Sequence, residues 1–100
     1  WGDIYELSVS MAQQLGYADE YMGIGADKVR FVGHGVGLQL DEPPYLAYKM
    51  TQKIAAGMVI AVEPKVSLPG NGVVGIENTY LVGENGVTLL TDCTNDFVIL

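Results

Sequence analysis

Residues 57–83 read GMVIAVEPKVSLPGNGVVGIENTYLVG, two β-branched apolar runs on either side of a proline- and glycine-rich loop. Enrichment in Val and Ile, bounded by turn residues, marks strands. Met58–Ser67 and Val73–Gly83 are therefore expected to pair across Leu68-Pro69-Gly70-Asn71-Gly72. A hairpin centred on Gly70 sets residues equidistant from it opposite each other, and Glu63 and Glu77 each lie seven positions away. A further strand, Val87–Thr91, follows Asn85-Gly86, a dipeptide whose tolerance of positive φ favours a type I′ turn.

Those two glutamates are charges inside apolar runs. Directly opposed like charges destabilise a strand pair, and a half-buried carboxylate pair left uncompensated is forced to share a proton. A bound divalent cation removes both penalties. The pattern leaves a second reading open, in which both side chains point to solvent or a one-residue slip sends them to opposite faces.

Working outward, Ile4, Leu7, Met11 and Leu15 recur at helical spacing over Asp3–Leu15, with Asp3 as N-cap, Glu6 three residues on, and Gly16 as the stop. Tyr17–Lys28 reads as a connection into a short strand around Val29–Val32, followed by the glycine-rich turn Gly33-His34-Gly35-Val36-Gly37. The pair Pro43-Pro44 excludes regular helix and central strand, and Tyr45–Ala56 reads as a connection. One leading helix packed on an antiparallel sheet makes an α+β domain. The sequence holds no internal repeat.

Composition narrows the function classes. The chain has 100 residues, a size that fits one domain over 1–100. A net charge of −7, with Lys28, Arg30, Lys49, Lys53 and Lys65 scattered, argues against a nucleic-acid partner. No apolar run approaches the roughly 20 residues of a membrane span, and the N-terminus lacks a signal peptide's regions, so a cytoplasmic protein without membrane partners is expected. The single Cys93 reads as a passive thiol. Trp1 stands directly before a helix with no initiator Met, which suggests a piece of something longer.

His34 is the only histidine. Flanking glycines leave its ring unobstructed, though a lone histidine is more often a satisfied structural residue than a ligand. The glycines lack the G-x-G-x-x-G spacing of a dinucleotide site. One imidazole nitrogen with carboxylate oxygens suits Mn, Co, Fe or Zn.

Taken in order, Gly33-His34-Gly35-Val36-Gly37-Leu38, Asp41-Glu42-Pro43-Pro44, Gly57-Met58-Val59-Ile60-Ala61-Val62-Glu63-Pro64 and Gly75-Ile76-Glu77-Asn78-Thr79 resemble the C-terminal half of the pita-bread metallopeptidases. That family includes methionine aminopeptidase, aminopeptidase P, prolidase and the non-peptidase creatinase; the similarity is nearest to the Xaa-Pro branch and runs from the helix to about Thr91. The resemblance implies hydrolysis of the bond before proline in short peptides, with two divalent metal ions, Mn or Co first and Zn or Fe next, and a homodimeric full-length protein. By position, it implies metal ligation by His34, Glu63 and Glu77, with Glu77 bridging two ions. His34 and Glu63 become the catalytic residues, Glu63 also handling the proton of the attacking water. The alternatives are a methionine aminopeptidase-type exopeptidase and a non-catalytic pita-bread binding module.

Three departures accompany the resemblance. The family's site also uses two aspartates from earlier strands and another histidine before His34, so this chain is expected to be a C-terminal fragment holding at most one weak metal site, inactive alone. Its unpaired sheet is expected to self-associate. Asp41 stands where many members carry a substrate-binding histidine; an ionised Asp cannot donate to an oxyanion, which leaves it to bind a substrate amine or cap the turn. Asn78 stands where an acid commonly follows the bridging glutamate. Tyr45 and Tyr48, with Trp1, Tyr5, Tyr17 and Tyr21, read as packing residues or a pocket lining, Asp92–Asp96 as a solvated loop, and Val98–Leu100 as a short edge strand or a cut end.

Overall fold

The computed structural model describes residues 2–100. Helix α1 (Gly2–Gln14) and a 3-10 turn (Gly25–Asp27) precede seven strands: β1 (Phe31–Gly35), β2 (Glu42–Ala47), β3 (Val59–Val62), β4 (Lys65–Leu68), β5 (Gly72–Gly75), β6 (Asn78–Val82) and β7 (Val87–Leu89). Five of them form one antiparallel sheet in the order β2-β1-β3-β6-β7, and β4-β5 form a second. The helix packs against β1 and β2, which is the helix-on-antiparallel-sheet architecture the sequence implies.

The register centred on Gly70 holds over both ladders: Val62 pairs with Asn78 and Ala61 with Thr79 in the large sheet, Lys65 with Gly75 and Leu68 with Gly72 in the small one. The two long strands expected from sequence are each divided, at Glu63-Pro64 and at Ile76-Glu77. Pro64 has no N–H to give the ladder, and its carbonyl instead accepts from the Ile76 N–H at 3.2 Å.

Other expectations change. The Gly-His-Gly segment is not a turn; Gly33 to Gly35 lie inside β1, the strand between β2 and β3. Glycine is required there for close approach. A Cβ on Gly33 would collide with the Ala61 carbonyl oxygen, and one on Gly35 would stand 2.9 Å from the carbonyl oxygens of Glu42 and Pro43. Pro43 and Pro44 do sit in a strand, but β2 is an edge, where a missing N–H is tolerated. The β6–β7 connection is a four-residue loop, since Val82 pairs with Val87, and the Gly83 N–H donates to the Gly86 carbonyl at 2.8 Å. No strand forms at Val98–Leu100.

The helix stops where expected. Gly16 has φ +85°, the Tyr17 N–H donates to the Ala12 carbonyl at 2.9 Å and the Gly16 N–H to that of Gln13 at 3.1 Å, a Schellman termination. Gly16→Ala has room for its methyl group but must adopt a left-handed backbone, so it is expected to cost about 1 kcal/mol and lower Tm by roughly 4–8 °C in a thermal melt. An unchanged melt would contradict the cap. The start differs: α1 already includes Gly2, so Asp3 lies in its first turn and is not the cap.

The buried face of α1 also differs. Gly2, Tyr5 and Ala12 face the core, with Ile4 and Val9 packed beside them, while Leu7, Met11 and Leu15 are 61%, 54% and 72% exposed. The core is built on Tyr5, Tyr21, Met22, Val32, Leu46, Ile60 and Val82. Tyr48 meets Tyr5 edge-on with ring centroids 6.5 Å apart, and Tyr45 meets Phe31 likewise at 6.3 Å, so these aromatics serve packing. Trp1, grouped with them in the sequence, lies outside the described residues.

Candidate metal centre

Side chains alternate faces along a strand, and this fixes the site. His34 pairs with Ala61 across β1–β3, and Ala61 with Thr79 across β3–β6. Glu63 lies two residues beyond Ala61, hence on the His34 side, diagonally opposed to it. The Glu63 N–H donates to the Val32 carbonyl at 2.8 Å, which carries the β1 contact one residue past the end of β3.

His34 is 3% exposed. Its Nδ1 donates to the Gly35 carbonyl at 2.9 Å, so a neutral ring presents a lone pair at Nε2. Two carboxylate oxygens face that nitrogen, Asp41 Oδ1 at 3.2 Å and Glu63 Oε1 at 3.7 Å. Acceptor against acceptors repels; a positive charge in their midst, a proton on Nε2 or a metal cation, resolves the arrangement. A histidine whose other nitrogen is held by a backbone carbonyl is the usual form of a metal-binding imidazole, and nitrogen with carboxylate oxygen fits a borderline divalent ion. The donors present therefore fit a metal in kind.

Of the residues singled out in the sequence, the structure brings together His34, Glu63 and Asp41. Asp41 does not cap the loop before β2; Glu42 does, its Oε2 accepting from the Gln39 N–H at 3.1 Å, while the Asp41 carboxylate turns to His34. Glu77 is exposed. It sits opposite Glu63 in register at the break between the two sheets, and both line a recess of about 220 Å³. Among the described residues no group of three or more His, Cys, Asp or Glu side chains is gathered as a metal cage. Asn78 is buried, its Nδ2 donating to Asn95 Oδ1 at 3.1 Å.

Sequence reading missed one participant. Lys65 Nζ lies 3.0 Å from Glu63 Oε2. Spacing held the signal, since residues two apart in extended chain share a face.

Residues 1–84 match the model of metallopeptidase family M24. The chain is 33% identical over 89 residues to an Xaa-Pro dipeptidase of Pyrococcus furiosus, covering 89% of this chain and 24% of that protein. Among solved structures it is similar to a dipeptidase from Pyrococcus horikoshii OT3, with a TM-score of 0.85 and 27% identity over 99% of this chain and 26% of the other. An Xaa-Pro dipeptidase from Bacillus anthracis superposes with a TM-score of 0.84 and 28% identity, over 98% and 26%. The chain thus spans about a quarter of the length of these relatives.

Proposed function

Because this chain belongs to metallopeptidase family M24, we propose that it forms the C-terminal part of the catalytic domain of a metal-dependent hydrolase that cleaves the bond before proline in short peptides. The observation that carries the reading is the face shared by His34 and Glu63, where a buried imidazole lone pair meets carboxylate oxygens that only a positive charge reconciles. His34 and Glu63 are the ligands on that face and Glu77 the third, supplied across the hairpin. The remaining ligands come from chain outside these 100 residues, which accords with relatives about four times as long.

Two divalent ions, Mn or Co, would when bound lower the pKa of a water and polarise the scissile carbonyl. The chain's own residues do the rest. The Gly35 carbonyl fixes the His34 tautomer and ring plane. Glu63, two positions past the β3 residue opposite His34, accepts the proton of the attacking water and returns it to the departing proline nitrogen. Asp41 brings a negative charge beside His34 and so favours a cationic group there, such as the free amino group of a short substrate. The exposed Leu7, Met11 and Leu15 stripe is the helix face on which the rest of the catalytic domain packs.

Calorimetric titration of the chain with Mn²⁺ is the test. One weak site at most is expected, lost in Glu77→Gln. Unchanged binding in that variant removes Glu77 from the site. The isolated chain should hydrolyse an Ala-Pro dipeptide negligibly and the full-length protein readily; robust turnover by the isolated chain would refute the missing ligands.

A further inference from the structure

The two oxygens of Glu63 face different groups. Oε1 faces His34 Nε2 at 3.7 Å and Oε2 holds Lys65 Nζ at 3.0 Å. The chain carries twelve acids and five Lys or Arg residues. Among the described residues, the Lys65–Glu63 contact is the one Lys or Arg pair with a carboxylate within 4.0 Å. Lys28, for comparison, spends its ammonium on the Ala18 and Asp19 carbonyls, and Lys49 lies over the Tyr48 ring. Among the described residues of this acidic chain, that ion pair falls on the carboxylate opposite Glu77.

The backbone is arranged to allow it. Lys65 opens β4 directly after Pro64 and pairs with Gly75. A Cβ on Gly75 would stand 2.9 Å from the Lys65 Cβ, so glycine at that position leaves the lysine stem free to reach along the break in the hairpin. Glu63, Lys65 and Glu77 line one recess, with Lys65 its only positive side chain. The ammonium meets, at Glu63, part of the electrostatic demand of two opposed glutamates that a cation would otherwise meet.

We infer that Lys65 is the resident counter-cation of this site: it occupies Glu63 Oε2 until a divalent ion takes that carboxylate, and the need to displace it lowers the affinity of the site for metal by a small factor. The inference rests on the reading of Glu63 as a metal ligand. Ammonium and metal compete for the same lone pairs, and a carboxylate that turns both oxygens to an ion cannot keep Lys65. The lysine side chain is 35% exposed, so the pair is of the weak, solvent-screened kind, and breaking it costs little. Such a latch offsets the charge of Glu63 without barring the metal.

The experiment is a calorimetric Mn²⁺ titration of the full-length protein and of its Lys65→Gln, Lys65→Arg and Glu63→Gln variants. It is paired with amine-reactive labelling read by mass spectrometry, using Lys53 as internal reference. Lys65→Gln is expected to bind Mn²⁺ roughly two- to fivefold more tightly, and Lys65→Arg to match the parent. Lys65 labelling should rise when Mn²⁺ is added, while that of Lys53 stays level. Unchanged or weaker binding in Lys65→Gln overturns the inference, as does labelling of Lys65 indifferent to metal. If Glu63→Gln removes binding while Lys65→Gln fails to tighten it, only the role of Lys65 falls. If Glu63→Gln leaves affinity unchanged, or no Mn²⁺ binds at all, the metal reading falls and this inference with it.

Discussion

Glu63→Gln in the full-length protein is expected to reduce kcat for an Ala-Pro dipeptide by about 10²–10⁴-fold, the range for loss of a general base. The amide keeps the volume and the hydrogen-bonding reach of the carboxylate but has no basic oxygen and no charge. It forfeits the proton-accepting role and weakens ligation together. Structure should survive, because the main-chain N–H at 63 still donates to the Val32 carbonyl and Glu63 is a strand-end residue with a partly exposed side chain. Circular dichroism and the thermal midpoint serve as controls. KM should move less than kcat, since the side chain acts on the water and not on the peptide's recognised groups. Activity within tenfold of the parent, with folding intact, would take the proton transfer away from Glu63.

The hairpin was the most legible part of the molecule. Two runs of β-branched residues on either side of the Leu68–Gly72 loop meet in a register centred on Gly70 that both ladders obey, because in a hairpin the turn between the strands fixes which residues face each other. The break at Glu63-Pro64 was legible only in part. Proline announces a lost donor, but whether a strand continues, bulges or divides there depends on where its carbonyl finds a partner, and Ile76 lies twelve residues on. The glycines around His34 misled for a related reason. Glycine signals either a turn or a close approach of backbones, and only the positions of Ala61 and of β2 select the second.

The helix shows the limit of periodicity. Ile4, Leu7, Met11 and Leu15 make a regular stripe, yet most of it is exposed, while the packed face uses Gly2, Tyr5 and Ala12. Small residues let α1 approach the end of the β2 segment closely: the Gly2 N–H donates to the Met50 carbonyl at 3.1 Å, and a Cβ on Gly2 would lie 3.1 Å from that same oxygen. A hydropathy pattern records which residues prefer burial but not which partner is present to bury them. The candidate site could be named from sequence as residue types but not as geometry. His34 and Glu63 meet through the β1–β3 register, which no local signal specifies, and Lys65 enters through an i, i+2 relation that attention to acids alone passes over.

Gly33→Ala should be among the most damaging single methyl groups that could be added to this chain. Its Cβ meets the Ala61 carbonyl oxygen and stands 2.7 Å from Leu46 Cδ1. Leu46 is fully buried, so it has nowhere to retreat, and the carbonyl belongs to the residue paired with His34. Overpacking of this kind costs about 1–3 kcal/mol where side chains can adjust, and backbone must move here as well, so the upper end or beyond is expected. A double-mutant cycle separates the two obstacles. Leu46→Ala alone should cost about 2–5 kcal/mol through the cavity it leaves. If the Leu46 methyl were the main obstruction, Gly33→Ala in that background would be nearly free. The carbonyl contact predicts the opposite: Gly33→Ala retains most of its cost after Leu46 is trimmed, because removing a side chain does not move the β3 backbone. The same displacement shifts β1 against β3 and with it His34 against Glu63, so Mn²⁺ affinity should fall in Gly33→Ala at temperatures where the protein remains folded. Full rescue of stability and metal binding by Leu46→Ala would show that side-chain packing, and not the approach of the two backbones, makes glycine necessary at this position.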